Sequence, residues 1–289
     1  QKNVRSIEDS DELNTGIHTF RFHVTPWLHW PETIMTYEES EKILFSGDAF
    51  GTFGAFDGGI FDDEVVYDQF ESEYRRYYSN IVGKYTGYTQ KALKKLQGLE
   101  VNKIAPTHGP VWRTNPGKII EDYHKWSTYT TEKGVVIAYA SMYGNTTQVV
   151  DLTARLLSEA GIENIKIFNT SKTHISHIIS EIWNYKGVIL ASPTYNMDLH
   201  PTVEALVHEI KHLGIKDHIL GVISNSLWNN AVTKILNTFS EDIGWEMVAP
   251  PAEVKGTMKD SDFFAFKELA DSMATKLNQM YANGGSLNH

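Results

Sequence analysis

Three side chains able to bind a transition metal follow short apolar runs in the first half of the chain. They are His29 in "WLHWPETIM", Asp48 in "ILFSGDAFG" and His108 in "APTHGPVW". Two imidazoles and a carboxylate suit iron, manganese or zinc, and a carboxylate can bridge two such ions. His108 comes after the apolar run "VNKIA" and stands between a Pro-Thr and a Gly-Pro pair. Such turn formers hold a side chain in one direction at the tip of a strand. Residue type alone leaves plainer readings open: a satisfied core histidine at 29, a turn-forming aspartate at 48, an ordinary turn histidine at 108.

The second half offers a different chemistry. In "ASMYGNTTQ", Ser141, Thr146 and Thr147 supply hydroxyls, Gly144 lets the backbone come close to a ligand, and a helix starts at once. A helix N-terminus preceded by such a loop is suited to a phosphate. The loop is neither GxxxxGK[ST] nor GxGxxG, which disfavours a nucleoside triphosphate or a dinucleotide. In "ASPTYNMDL", Tyr195 can lie against an aromatic ring while backbone groups near Thr194 and Asn196 bond its edge. The simpler alternatives are a Gly-Asn turn with a threonine cap and an aromatic that caps the sheet.

The elements that must position these residues follow two grammars. Residues 1–133 begin with strand-like runs ("GIHTFRFHV", "ETIMTYEES", "EKILFSGDAF") and continue into a helical stretch over 64–98. That stretch has apolar and aromatic residues at three- and four-residue spacing. The short strand before His108 and a helix opened by Pro116 complete this part. Residues 134–289 alternate strand and amphipathic helix five times, from "GVVIAYA" to "WEMVAP" and its following helix. Five such pairs predict a doubly wound parallel sheet with helices on both faces. The fold class is α/β, with an α+β first domain and a boundary at 133/134. In an open parallel sheet ligands sit beyond the carboxyl ends of the strands, where both loops fall.

Composition narrows the functions. With 26 basic against 36 acidic residues, a net charge of −10 and no long basic run, nucleic-acid binding is disfavoured. No run of eighteen apolar residues predicts a membrane span. The absence of cysteine excludes disulfides, thiolate-ligated clusters and cysteine nucleophiles, leaving His, Asp and Glu as metal ligands. The chain opens "QKNVRSIEDS" with no initiator Met and no signal-peptide pattern, as a processed chain or part of a longer polypeptide would. Lacking targeting features, it is expected in the cytoplasm.

The second half resembles the flavodoxin family. Its phosphate loop, [ST]-x-x-G-N-T, matches Ser141, Met142, Tyr143, Gly144, Asn145 and Thr146, and its P-T-Y-N loop matches Pro193, Thr194, Tyr195 and Asn196. The family's third loop corresponds to Asn225, Ser226, Leu227 and Trp228, which keep the tryptophan but lose the tyrosine and glycine of the closest relatives. This resemblance implies flavin mononucleotide (FMN) as cofactor. "LHWPETIM", "LFSGDAFG" and "APTHGPVW", ahead of a flavodoxin-like domain, resemble the flavodiiron proteins, and the ligand spacings of 19 and 60 residues agree.

That resemblance implies a first domain that is the C-terminal part of an αββα metallo-β-lactamase-like fold. It implies His29 as a terminal ligand of one iron, Asp48 as the bridge and His108 as a terminal ligand of the second. It also implies reduction of dioxygen to water, of nitric oxide to nitrous oxide, or both. Electrons would pass from a rubredoxin or flavin-reductase-type donor through FMN to two iron ions, in a head-to-tail homodimer. The chain departs from the family in having no H-x-E-x-D motif, which supplies the other three ligands. About the first quarter to third of a family-length polypeptide is therefore expected to be absent, and the remaining half-site to bind iron weakly. Two alternatives stay open: an FMN electron carrier with an inactive metal domain, and a zinc hydrolase of β-lactamase type.

Overall fold

The computed structural model describes residues 4–56 and 58–282, and the chain divides into two compact units, Gln1–Thr128 and Tyr129–His289. The division falls ahead of the expected 133/134 because the second unit's sheet begins earlier. Glu132 already pairs with Tyr185, Tyr129 stacks on Trp183, and Thr131 is bonded to the Tyr281 hydroxyl at 2.8 Å.

The first unit is a five-stranded sheet in the order β1-β2-β3-β4-β5, from β1 (Glu12–Asn14), β2 (Thr19–Val24), β3 (Ile34–Glu38), β4 (Ile43–Gly47) and β5 (Lys103–Pro106). All neighbours are antiparallel except β4 and β5. Side chains alternate between the two faces of a strand. The register sets His23, Met35, Tyr37, Leu44 and Ile104 on one face, all buried. Phe22, Thr36, Phe45 and Ala105 align across the other, where Phe45 is 43% exposed. The unit's core also takes Tyr74 of α1 (Tyr67–Tyr77), Leu93 of α2 (Thr86–Leu96), and Tyr123 and Trp126 of α3 (Pro116–Ser127). The expected helical stretch over 64–98 is interrupted between α1 and α2 by a π turn at Tyr78–Val82 and a 3-10 turn at Gly83–Tyr85. The π turn keeps Tyr78, Ser79 and Val82 inside.

The second unit is a parallel sheet in the order β7-β6-β8-β9, from β6 (Glu132–Tyr139), β7 (Ile165–Asn169), β8 (Tyr185–Pro193) and β9 (Ile219–Ser226). The fifth strand position is filled by two short strands, β10 (Glu246–Met247) and β11 (Ala252–Lys255). They pair with successive parts of β9, at Ile219–Leu220 and Ile223–Ser226. The strand expected over 245–250 is reduced to β10, and β11, not expected from the sequence, follows Pro250 and Pro251, which cannot donate to a ladder. Helices α4 (Asn145–Glu159), α5 (Ile175–Asn184), α6 (Pro201–Leu213), α7 (Val232–Ile243) and α8 (Phe263–Tyr281) follow the strands in turn. This is the flavodoxin-like order, with its switch point between β6 and β8.

Candidate functional site

Three loops and a fourth segment meet at one cavity beyond the carboxyl ends of β6, β8 and β9. From the first loop come Ser141, Met142, Tyr143, Asn145 and Thr146; from the second, Pro193 and Thr194; from the third, Asn225, Ser226 and Leu227. Gly144 does not line the cavity but shapes it. It caps α4 with φ +88°, a left-handed conformation that favours glycine, and its N–H donates to the Ser141 hydroxyl at 3.1 Å. The first-turn amides of the fifteen-residue α4 have no intrahelical acceptor and start at this loop.

Tyr195 and Asn196 lie outside the lining, in a tight turn closed by two Tyr195–Asp198 backbone bonds of 2.9 Å, with Asn196 and Met197 at positive φ. Trp228, 86% exposed, lines a neighbouring cavity with Lys255 and Lys259. Asn225 lines the cavity and also braces its wall. Its side-chain amide donates to the Gly256 carbonyl and accepts from the Gly256 N–H, each at 3.1 Å. Gly256, which lines the cavity, was not foreseen from the sequence. Thr257 beside it donates to Asn145 Oδ1 at 3.4 Å. The only sequence signal for this fourth segment is a glycine-threonine pair after a strand, which is common in turns.

In the first unit, His29 and Asp48 come together at the ends of their strands, with Nε2 and Oδ2 3.2 Å apart. The Thr107 hydroxyl donates to the other oxygen of Asp48. Burial pushes the Asp48 carboxyl up, but the bonds from Thr107 and His29 and the nearby His108 ring together hold it below the usual carboxylate range. His108 is aimed separately. Its Nδ1 lies 3.0 Å from the Thr52 carbonyl, which can only accept, so Nδ1 is the donor of that bond and Nε2 is the nitrogen left for a ligand. The Tyr77 ring meets the imidazole edge-on at 4.7 Å between centroids. Gly51 leaves room for it: a Cβ there would stand 2.5 Å from His108 Cε1 and 2.7 Å from its carbonyl oxygen. Thr107, Thr52, Tyr77 and Gly51 were not singled out from sequence, because none is itself a ligand type. Among the described residues, no group of three or more His, Asp or Glu side chains is placed to hold a metal ion.

A family model described as ODP family beta lactamase matches residues 1–109. The anaerobic nitric oxide reductase flavorubredoxin of Salmonella paratyphi B is 32% identical over 249 residues, covering 85% of this chain and 52% of that protein. The solved rubredoxin oxygen:oxidoreductase of Desulfovibrio gigas is similar with a TM-score of 0.90 at 29% identity, over 95% of this chain and 69% of that one. The flavodiiron protein of Giardia intestinalis gives 0.84 at 25% identity, over 94% and 68%. The chain is a flavodiiron protein homologue. It spans between 52% and 61% of the length of two curated relatives that it matches. The Salmonella and Desulfovibrio relatives are named as oxidoreductases.

The two sites of this flavodiiron homologue differ in how well they suit the family's cofactors. The cavity at α4 joins the free amides of a helix start to a wall of exposed apolar side chains, with Met142 44%, Leu227 63% and Tyr143 83% exposed. That combination fits a phosphorylated planar ring. The metal donors do not make a complete set: His29 and Asp48 are paired, while His108 is held by Thr52 and Tyr77. The residues described here do not by themselves fit a dinuclear iron centre.

Proposed function

We propose that the protein is a flavin-dependent oxidoreductase of the oxygen- and nitric oxide-reducing kind. In this reading its second unit binds FMN, and its first unit supplies His29, Asp48 and His108 as part of an iron site. FMN, when bound, accepts electrons from a donor and passes them on one at a time. The observation that carries the reading is the convergence of the Ser141–Thr146, Pro193–Thr194 and Asn225–Leu227 segments on one cavity at the α4 N-terminus. The amides at the start of α4 would hold the phosphate dianion, which the helix dipole favours. Met142, Tyr143 and Leu227 would cover the ring and keep water from it. The electron donor would be a rubredoxin or a flavin-reductase-type protein, dioxygen or nitric oxide the final acceptor, and the working unit a head-to-tail homodimer in the cytoplasm. The names of the relatives support both gases and a rubredoxin-type donor.

A second reading, an FMN electron carrier without a working metal centre, has its own support: the donor set among the described residues is incomplete while the cofactor cavity is not. Titration with FMN followed by anaerobic reduction, then exposure to each gas after incubation with ferrous iron, separates the two. Stoichiometric FMN binding is expected on both readings; sustained gas consumption would need iron donors beyond those described and would establish the oxidoreductase. Binding and reversible reduction with no turnover of either gas would leave only the carrier. No FMN binding would end both readings.

A further inference from the structure

We propose that α6 carries a binding site for a divalent transition ion, made by His208 and His212 and separate from both sites above. Helix α6 is held firmly: Val203, Leu206, Val207, Ile210 and Leu213 are buried, Pro201 opens the helix, and His200 caps it by accepting the Thr202 N–H. His208 and His212 lie on its exposed side. Residues four apart on a helix are neighbours on one face. Their imidazole rings lie 6.4 Å apart between centroids and within 7° of parallel.

Neither ring has a hydrogen-bond or ion-pair partner among the described residues, unlike the capping His174 and His200 or the His218 ring between two carbonyls. The pair thus keeps ring nitrogens available on a rigid support. Metal–imidazole bonds of about 2.0–2.1 Å place an ion roughly 3 Å from each ring centroid. Small rotations of two exposed side chains therefore bring both nitrogens onto one ion, with water completing the shell. A site of imidazoles alone ranks copper, nickel and zinc above ferrous iron. Its occupant would therefore be one of those three, not the metal of the first unit. The neighbouring Lys211 ammonium is turned to Asp242 at 2.6 Å, which offsets its repulsion of a cation.

The site has a practical consequence. Zinc or nickel that is lost with His208→Ala but kept with His29→Ala would sit on α6 and would say nothing about hydrolase chemistry at His29, Asp48 and His108. The inference does not rest on the proposed function, and its test is independent of flavin or gas turnover. The untagged full chain is titrated with nickel chloride by calorimetry, and with copper under electron paramagnetic resonance. One site per protomer is expected, with a nitrogen-split copper spectrum. His208→Ala and His212→Ala should each weaken nickel binding at least tenfold and reduce the copper splitting from a two-nitrogen to a one-nitrogen pattern, with an unchanged thermal midpoint because both side chains are exposed. His29→Ala should keep the α6 site intact. Wild-type nickel affinity in either α6 variant, or no uptake by the wild type, would overturn the proposal.

Discussion

At the scale of single residues, the side chains that support a site matter as much as those that face it. Asn225 spends both its donor and its acceptor on Gly256, so it works as a peg between two segments of the cavity wall. Asn225→Ala removes two buried bonds, each worth about 1 kcal/mol. It should weaken FMN binding on the order of tenfold, a change of about 1.4 kcal/mol, with little shift in the flavin's absorbance. Quenching of flavin fluorescence measures this, and an unchanged affinity would deny Asn225 the role. Gly51→Ala tests the other site. The added carbon meets the His108 ring and carbonyl at under 3 Å, so the turn must move. Overpacking of this kind costs about 1–3 kcal/mol, readable as a lower urea midpoint. His29, Asp48 and His108 were a weak signal as residue types, since such side chains are common, and stood out only through the segments that resemble the flavodiiron proteins. Gly256 and Gly51 were not, since a glycine declares its purpose only once its neighbour across the chain is known.

At the scale of elements, the strand and helix pattern of the second unit was largely legible. Each buried strand reads as a short apolar run and each helix as a period near 3.6. Strand β7 has the expected bounds, Ile165–Asn169. The failures lie where tertiary contacts override pattern, at β11, which pairs with β9 beyond the strand expected over 245–250, and at the π turn after α1. One element boundary carries a titration. His218, just before β9, has its two ring nitrogens 2.5 and 2.7 Å from the carbonyls of Lys216 and Ile182, of which a neutral ring can donate to only one, and packs on Trp245 with centroids 4.7 Å apart. Burial, the largest influence, outweighs both carbonyls and lowers its pKa from 6.5 to about 4. The folded protein therefore holds this ring neutral while the unfolded chain takes up a proton below pH 6.5. Its contribution to stability is complete above that pH and declines as the pH falls towards about 4. Denaturant midpoints measured across this window should fall for the wild type and fall less steeply for His218→Phe.

At the scale of the whole molecule, the two units differ in self-sufficiency. Every residue lining the cavity at α4 belongs to the second unit, whose core is a set of buried, mostly aliphatic side chains between Val135 and Leu277. Residues 129–289 expressed alone should bind FMN within about threefold of the full chain. A tenfold loss would mean that the first unit contributes to the cavity. Composition could announce the two units, but it could not say which faces of the first sheet are covered.

The aligned Phe22, Thr36, Phe45 and Ala105 bear on handling of the protein. A pleated wall with Phe45 43% open to water is poorly wetted, and such patches drive association when nothing shields them. Light scattering should show particle size growing with concentration, and Phe45→Lys should flatten that growth. Dilute stocks and mild detergent would then preserve the material, whereas high salt, which strengthens apolar contact, would shorten its shelf life.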